Sequence, residues 1–243
     1  MKRRLLISLC LFFLATELPE AQTRQTLFNG NLKFNAMGLP VVIPLRINQQ
    51  PQGAGARNTR LTVTAQVDRL LPAINQQLVN TIRQLHAPCE HRWAANNPRS
   101  GLTGQGLILK VRASYQSWFC SDLFTYMLFT EAGTIETHIQ PQISNGRLQF
   151  RLTYFVIHGL SQIANLIGVQ GFIQDEVQKF LNQLNNNPEV ARLPRAYREL
   201  GYVYQDIRVG NLDGIPTVKI GITGSNQPGS LEQLKRFLNS FTQ

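Results

Sequence analysis

Leu61, Val63, Ala65 and Val67 alternate with Thr62, Thr64 and Gln66, the two-residue period of a half-buried strand. The period then changes. Val67, Leu70, Leu71, Ile74, Leu78, Val79, Ile82 and Leu85 fall on one stripe at helical spacing, with Asn75, Gln76, Gln77, Asn80 and Arg83 on the other face. Asp68 caps the start and Pro72 fits only a first turn, so the spacing predicts a helix from residues 68–71 to His86. Farther on, Leu107, Leu109, Val111, Ala113 and Tyr115 alternate with Ile108, Lys110, Arg112, Ser114 and Gln116, a long strand ending near Cys120. Leu123 to Phe129 predicts a further strand. Ile135, Thr137 and Ile139 lead to Asn145-Gly146, a hairpin turn signal, and Leu148, Phe150, Leu152 and Tyr154 lead away from it.

A second helix is predicted from Leu160 to Leu184 through Ile163, Leu166, Ile167, Ile173, Val177, Phe180, Leu181 and Leu184, with a bend at Gly168 and Gly171. Strands at Tyr202–Val209 and Ile215–Ile222 flank a turn at 211–214. A short amphipathic helix closes the chain through Leu231, Leu234, Phe237, Leu238 and Phe241, with Ser230 and Gln233 as its capping box. The beginning is less regular: a short hairpin about Asn29-Gly30, an edge strand at Leu39–Ile47 demoted by Pro40 and Pro44, and a loop at 48–58. Residues 87–105 also read as a loop. Long helices followed by antiparallel strands predict an α+β fold rather than a doubly wound parallel one.

The first residues carry a different signal. Met1-Lys2-Arg3-Arg4 precedes an apolar run, Leu5 to Ala15, and a short polar segment ending near Ala21, the order of a secretory signal peptide. Residues 1–21 are expected to be removed, leaving one domain over 22–243. Of 24 basic and 14 acidic residues, the signal holds Lys2, Arg3, Arg4, Glu17 and Glu20, so the exported part keeps a formal charge of +9. Such a charge favours anionic partners. The chain lacks a dense Lys/Arg run and any aromatic-basic nucleic-acid module, so no nucleic acid partner is expected. Cys89 and Cys120 remain after the signal and are expected to form a disulfide in an oxidising compartment. His86, Cys89 and His91 lie close together but match no zinc spacing, so no metal is expected.

No catalytic motif emerges. Ser161 follows His158, but Ile163 stands where a nucleophile elbow needs glycine, and Ser161 reads more simply as a helix cap. Phosphate-loop and dinucleotide fingerprints are absent from the sequence, and neither an enzyme nor a cofactor is expected. Lys110 and Arg112 occupy the polar alternations of one strand, Arg147 and Arg151 those of another, and on adjacent strands they would form an anion-contacting stripe.

The run from the strand at Leu61–Val67 into the helix at Asp68–His86, the Asn145-Gly146 hairpin leading into the helix at Leu160–Leu184, and the single disulfide together resemble the tubular lipid-binding superfamily, which includes bactericidal/permeability-increasing protein. The resemblance implies a long curved antiparallel sheet packed on two long amphipathic helices, with the short C-terminal helix beside it, and an apolar groove for acyl chains. Leu71, Ile74, Leu78, Ile82, Ile163, Ile167, Ile173 and Val177 are the expected lining. The function expected on this ground is an exported soluble binding protein for a lipid or other amphiphile, periplasmic in a two-membrane bacterium and otherwise secreted. The alternative is an envelope interaction protein that binds an anionic polymer or a protein through a basic face.

Overall fold

The computed structural model describes residues 25–36, 39–51, 58–84, 91–162, 164, 168–193, 195–225, 232–233 and 236. The expected export signal, Cys89 and most of the stretch expected as a C-terminal helix lie outside them. Nine strands follow one another as β1 (Gln25–Ala36), β2 (Leu39–Pro51), β3 (Asn58–Gln66), β4 (His91–Thr103), β5 (Gly106–Cys120), β6 (Thr125–Ser144), β7 (Arg147–His158), β8 (Val203–Leu212) and β9 (Ile215–Ser225). Among the described residues the helices with defined bounds are α1 (Leu71–Gln84), α2 (Val169–Asn186), α3 (Pro188–Ala191) and α4 (Arg195–Glu199), and Gln162 and Ala164 are helical as well. All strand pairs are antiparallel, in two sheets: β1-β2-β3-β9-β8 and β4-β5-β6-β7.

Each sheet has its own core. On the four-stranded sheet, Trp93, Val111, Ala113, Ile135 and Ile157 pack against Val79 and Ile82 of α1 and Val169 and Ile173 of α2. On the five-stranded sheet, Ile47, Leu61 and Ile222 pack against Leu193, Tyr197 and Tyr202, so α4 and the residues flanking it cover that face. Helix α1 joins the two: its first turns bury Ala73 against Val41 and Ile43 of β2, while its later turns lie on β4.

This overturns the expectation of a single long sheet on two long helices. The described residues are 62% strand and 25% helix, divided between two sheets. Two of the reasons are local and the third is long-range. Gly168 takes φ 75 as the N-cap of α2, so that helix starts only at Val169. The stretch expected as a loop after α1 is mostly β4. It is an edge strand, and a bulge between Asn96 and Arg99 absorbs Pro98, with Asn97 at φ 49. Most decisive is β9, which returns to pair with β3 and gives the first three strands a sheet of their own.

The prolines of β2 also find a physical account. Pro40 and Pro44 pair with Asn35 and Asn31 of β1, but β3 joins β2 only from Leu45 onward. Both prolines therefore sit where β2 has one neighbour, the condition under which a residue without an N–H is tolerated. Asn29-Gly30 lies within β1 rather than at a turn.

Candidate functional site

The polar positions of β3 that alternate with its buried ones are Arg60, Thr62 and Thr64, and the sheet extends them sideways. Register places Arg46 beside Thr64, Thr64 beside Lys219, and Lys219 beside Arg208, a ladder across β2, β3, β9 and β8. The next row reads Asn48, Thr62, Gly221 and Asp206. These residues, with Gln49, Gln50 and Arg60, line an open polar groove of about 470 Å³. The opposite face of the same strands carries the core, so the groove floor is rigid.

The groove holds four cations and one acid. Arg60 Nη2 donates to Asp206 Oδ2 at 2.5 Å. The carboxylate reaches across β9 because the position beneath it is Gly221; any β-carbon there would overlap the Asp206 carboxyl. Once Asp206 is paired, Arg46, Lys219 and Arg208 have no acidic partner within ion-pair distance among the described residues. Lys219 and Arg208 are directly opposite each other, a like-charge arrangement that costs stability unless an anion sits between them. Arg60 Nε is buried beside the groove without a hydrogen-bond partner among the described residues, a condition that a polar ligand or water relieves.

The basic residues singled out from the sequence do not form the stripe expected of them. Their strands are not adjacent, because β6 lies between β5 and β7. Lys110 is paired with Glu136 at 2.9 Å, Arg147 Nη2 donates to the Asn185 carbonyl at 3.5 Å, and Arg151 sits opposite Gln140, far along the sheet from Lys110.

What the outer face of β6 does gather is a charge cluster on Glu136. His138 Nε2 donates to its Oε1 at 2.8 Å, and Lys110 and His158 approach its Oε2 at 2.9 and 3.4 Å. The hydrogen bond from His138, and after it that from Lys110, holds the Glu136 carboxyl down at about 2. A carboxyl lowered on folding adds stability above its unfolded value, near 4.5, and loses it as pH falls through the folded value. Glu136→Gln should therefore lower Tm at neutral pH, and the gap from the parent should close between about pH 4.5 and 2. Thermal melts across that range check this; a gap constant with pH refutes it.

Of the expected acyl-groove lining, Ile82 and Ile173 are buried in the core on the four-stranded sheet, with Leu78 and Val177 packed against it. Leu71 and Ile74 are half-buried, and the side chains of Ile163 and Ile167 lie outside the described residues. The gap between α2 and the sheet, bounded by Trp93, Tyr115, Leu160 and Ile173, has room for about 10 Å³, close to that of one water. An acyl chain finds no volume there.

Ser161 and His158 serve different carboxylates. The Ser161 hydroxyl donates to Glu131 and accepts from the Ala164 N–H at 3.2 Å, the geometry of a helix cap, while His158 lies on Glu136. Cys120 is disulfide-bonded; Cys89 and His86 lie outside the described residues. Among the described residues no group of three or more His, Cys, Asp or Glu side chains is arranged to hold a metal, and no helix is long and apolar enough to cross a membrane.

The cationic ladder escaped sequence reading because its signal is split. Arg46, Arg208 and Lys219 each occupy a polar alternation, but only the pairing of β9 with both β3 and β8 brings them into one row. No protein-family model matches the chain, and no curated protein matches it.

Proposed function

We propose that this chain is an exported binding protein that holds an extended anionic polymer along the groove of β2, β3, β9 and β8. The observation that carries the reading is the row of Arg46, Lys219 and Arg208, three cations with no acidic partner among the described residues. Asn48, Gln50, Thr62 and Thr64 between and beside them offer the neutral hydrogen bonding that sugar hydroxyls or phosphate esters use. The groove is open and spans four strands, which suits a chain molecule better than a small enclosed ligand. Arg60 and Asp206 pair through one guanidinium nitrogen and form one side of the groove.

Heparin is a suitable probe polymer. Its affinity for the purified chain should fall steeply between about 50 and 500 mM salt, because exposed charges are screened over a Debye length. Replacing Arg46, Lys219 and Arg208 together by Ala should weaken binding by roughly tenfold or more at low salt and flatten the salt dependence. Lys110→Ala with Arg112→Ala should change it little. Binding that ignores both salt and the triple replacement overturns the proposal.

A further inference from the structure

The hairpin that joins β5 and β6 extends beyond the rest of its sheet. Among the described residues β4 accompanies β5 only as far as Ser117, and β7 ends at His158, opposite Thr134 of β6. Among the described residues Trp118 to Cys120 and Thr125 to Met127 pair with each other and with no third strand, as an arm that reaches roughly 15 Å past β4 and carries the disulfide-bonded Cys120.

Polar residues are usual on such an arm, above all at its turn. Here the turn from Ser121 to Phe124 is closed by the Ser121 N–H donating to the Phe124 carbonyl at 2.9 Å, and it places Leu123 at the apex, 90% exposed. Phe124 is 55% exposed beside it. Behind the apex, Phe119, Phe124 and Tyr126 form a ring cluster with centroids 5.2 to 6.4 Å apart. Met127 and Leu128 are also exposed, so both faces of the arm are apolar. At its base, the Arg92 guanidinium lies 4.0 Å over the Trp118 ring.

This order, aliphatic at the apex, aromatic along the shaft and cationic at the base, follows the polarity gradient of a bilayer surface from acyl boundary to headgroup. A protein groove would cover one face of such an arm and leave the other in water; a lipid interface surrounds both. Asp122, next to Leu123, sets the depth at the headgroup boundary rather than in hydrocarbon. The formal charge of +9 that the chain keeps without residues 1–21 adds attraction toward anionic lipid. We infer that the β5–β6 arm inserts its apex into the surface of an anionic phospholipid bilayer and holds the protein there reversibly.

Vesicle co-sedimentation of the exported, purified chain tests this with phosphatidylcholine vesicles containing about 30% phosphatidylglycerol. The parent should bind, and bind several-fold more weakly to pure phosphatidylcholine. Leu123→Ser with Phe124→Ser should lower partitioning at least tenfold while leaving heparin binding intact. In a second variant, Leu123→Trp, which keeps the apex apolar, the added indole should be quenched by lipids brominated near the headgroup. A parent that ignores the vesicles overturns the inference. So does a double variant that binds as well as the parent, an apex indole that escapes quenching, or a concentration-dependent dimer that the same substitutions abolish without vesicle binding.

Discussion

Leu61→Ala should lower the free energy of unfolding by about 2–5 kcal/mol, one of the largest losses available to a single side chain in this protein. Leu61 has no exposed surface and lies in the middle of β3, with Ile222 directly across on β9 and Ile47 of β2 packed in the same cluster. Truncation removes three carbons from a place where strands on both sides are hydrogen-bonded in register, so the backbone cannot move in to fill the space. The cost therefore approaches that of an unrelaxed cavity. Urea denaturation measures it. Leu212→Ala, at an exposed position near the end of β8, should stay within about 0.5 kcal/mol of the parent. A Leu61→Ala loss under 1 kcal/mol would mean that the five-stranded sheet is far looser than its pairing indicates.

The second large effect belongs to Gly106. It opens β5 at φ 146, and any β-carbon there would overlap the Ile139 carbonyl oxygen on β6. Both facts oppose a side chain: backbone strain in a region L-residues avoid, and a clash with main chain fixed by the sheet. Gly106→Ala should destabilise by about 3 kcal/mol or more. Gly104, two residues earlier in the same turn, supplies the comparison, since a methyl group there meets nothing within 4 Å. Gly104→Ala should leave the midpoint nearly unchanged, and equal midpoints for the two variants would refute the steric argument.

Strands with clean alternation could be read directly from the residues. The run at 61–67 corresponds to β3, the run at 107–116 to β5, and the Asn145-Gly146 signal to the β6–β7 turn, with φ 52 and 67 at those residues. The turn between β8 and β9 likewise falls on Asp213-Gly214, both with positive φ. Helix α1 was visible from its stripe; it begins at Leu71 rather than at Asp68, and Leu85 and His86 of the expected span lie outside the described residues. What failed was whatever depended on neighbours. Pro98 and the Asn96-Asn97 pair read as loop because nothing local says that the segment is an edge strand with a bulge. The predicted strand at 123–129 and the later alternation at 135–139 are parts of one strand, β6, twenty residues long.

The same limit applies to the site. Polar alternations in β2, β3, β8 and β9 mark which residues point away from a core, but not which strands lie side by side. Lys110, Arg112, Arg147 and Arg151 attracted notice because their strands are close in sequence, yet β6 separates them. The groove cations come from strands more than 150 positions apart, Arg46 on β2 and Arg208 and Lys219 on β8 and β9.

That separation has a consequence for how the protein acquires its activity. Leu61 pairs with Ile222, about 160 positions later, so the five-stranded sheet cannot close until nearly the whole chain is available. Long-range pairing of this kind pays its loop-closure entropy before any contact repays it, and it is slow. Strands β4 to β7, paired only with sequence neighbours, can assemble first and wait. The arm would then be present on a partly folded chain that still lacks the groove, and the last strand to arrive, β9, would bring Lys219 and complete the ladder. If both proposals above hold, a chain caught between those two stages would bind anionic vesicles while failing to bind heparin.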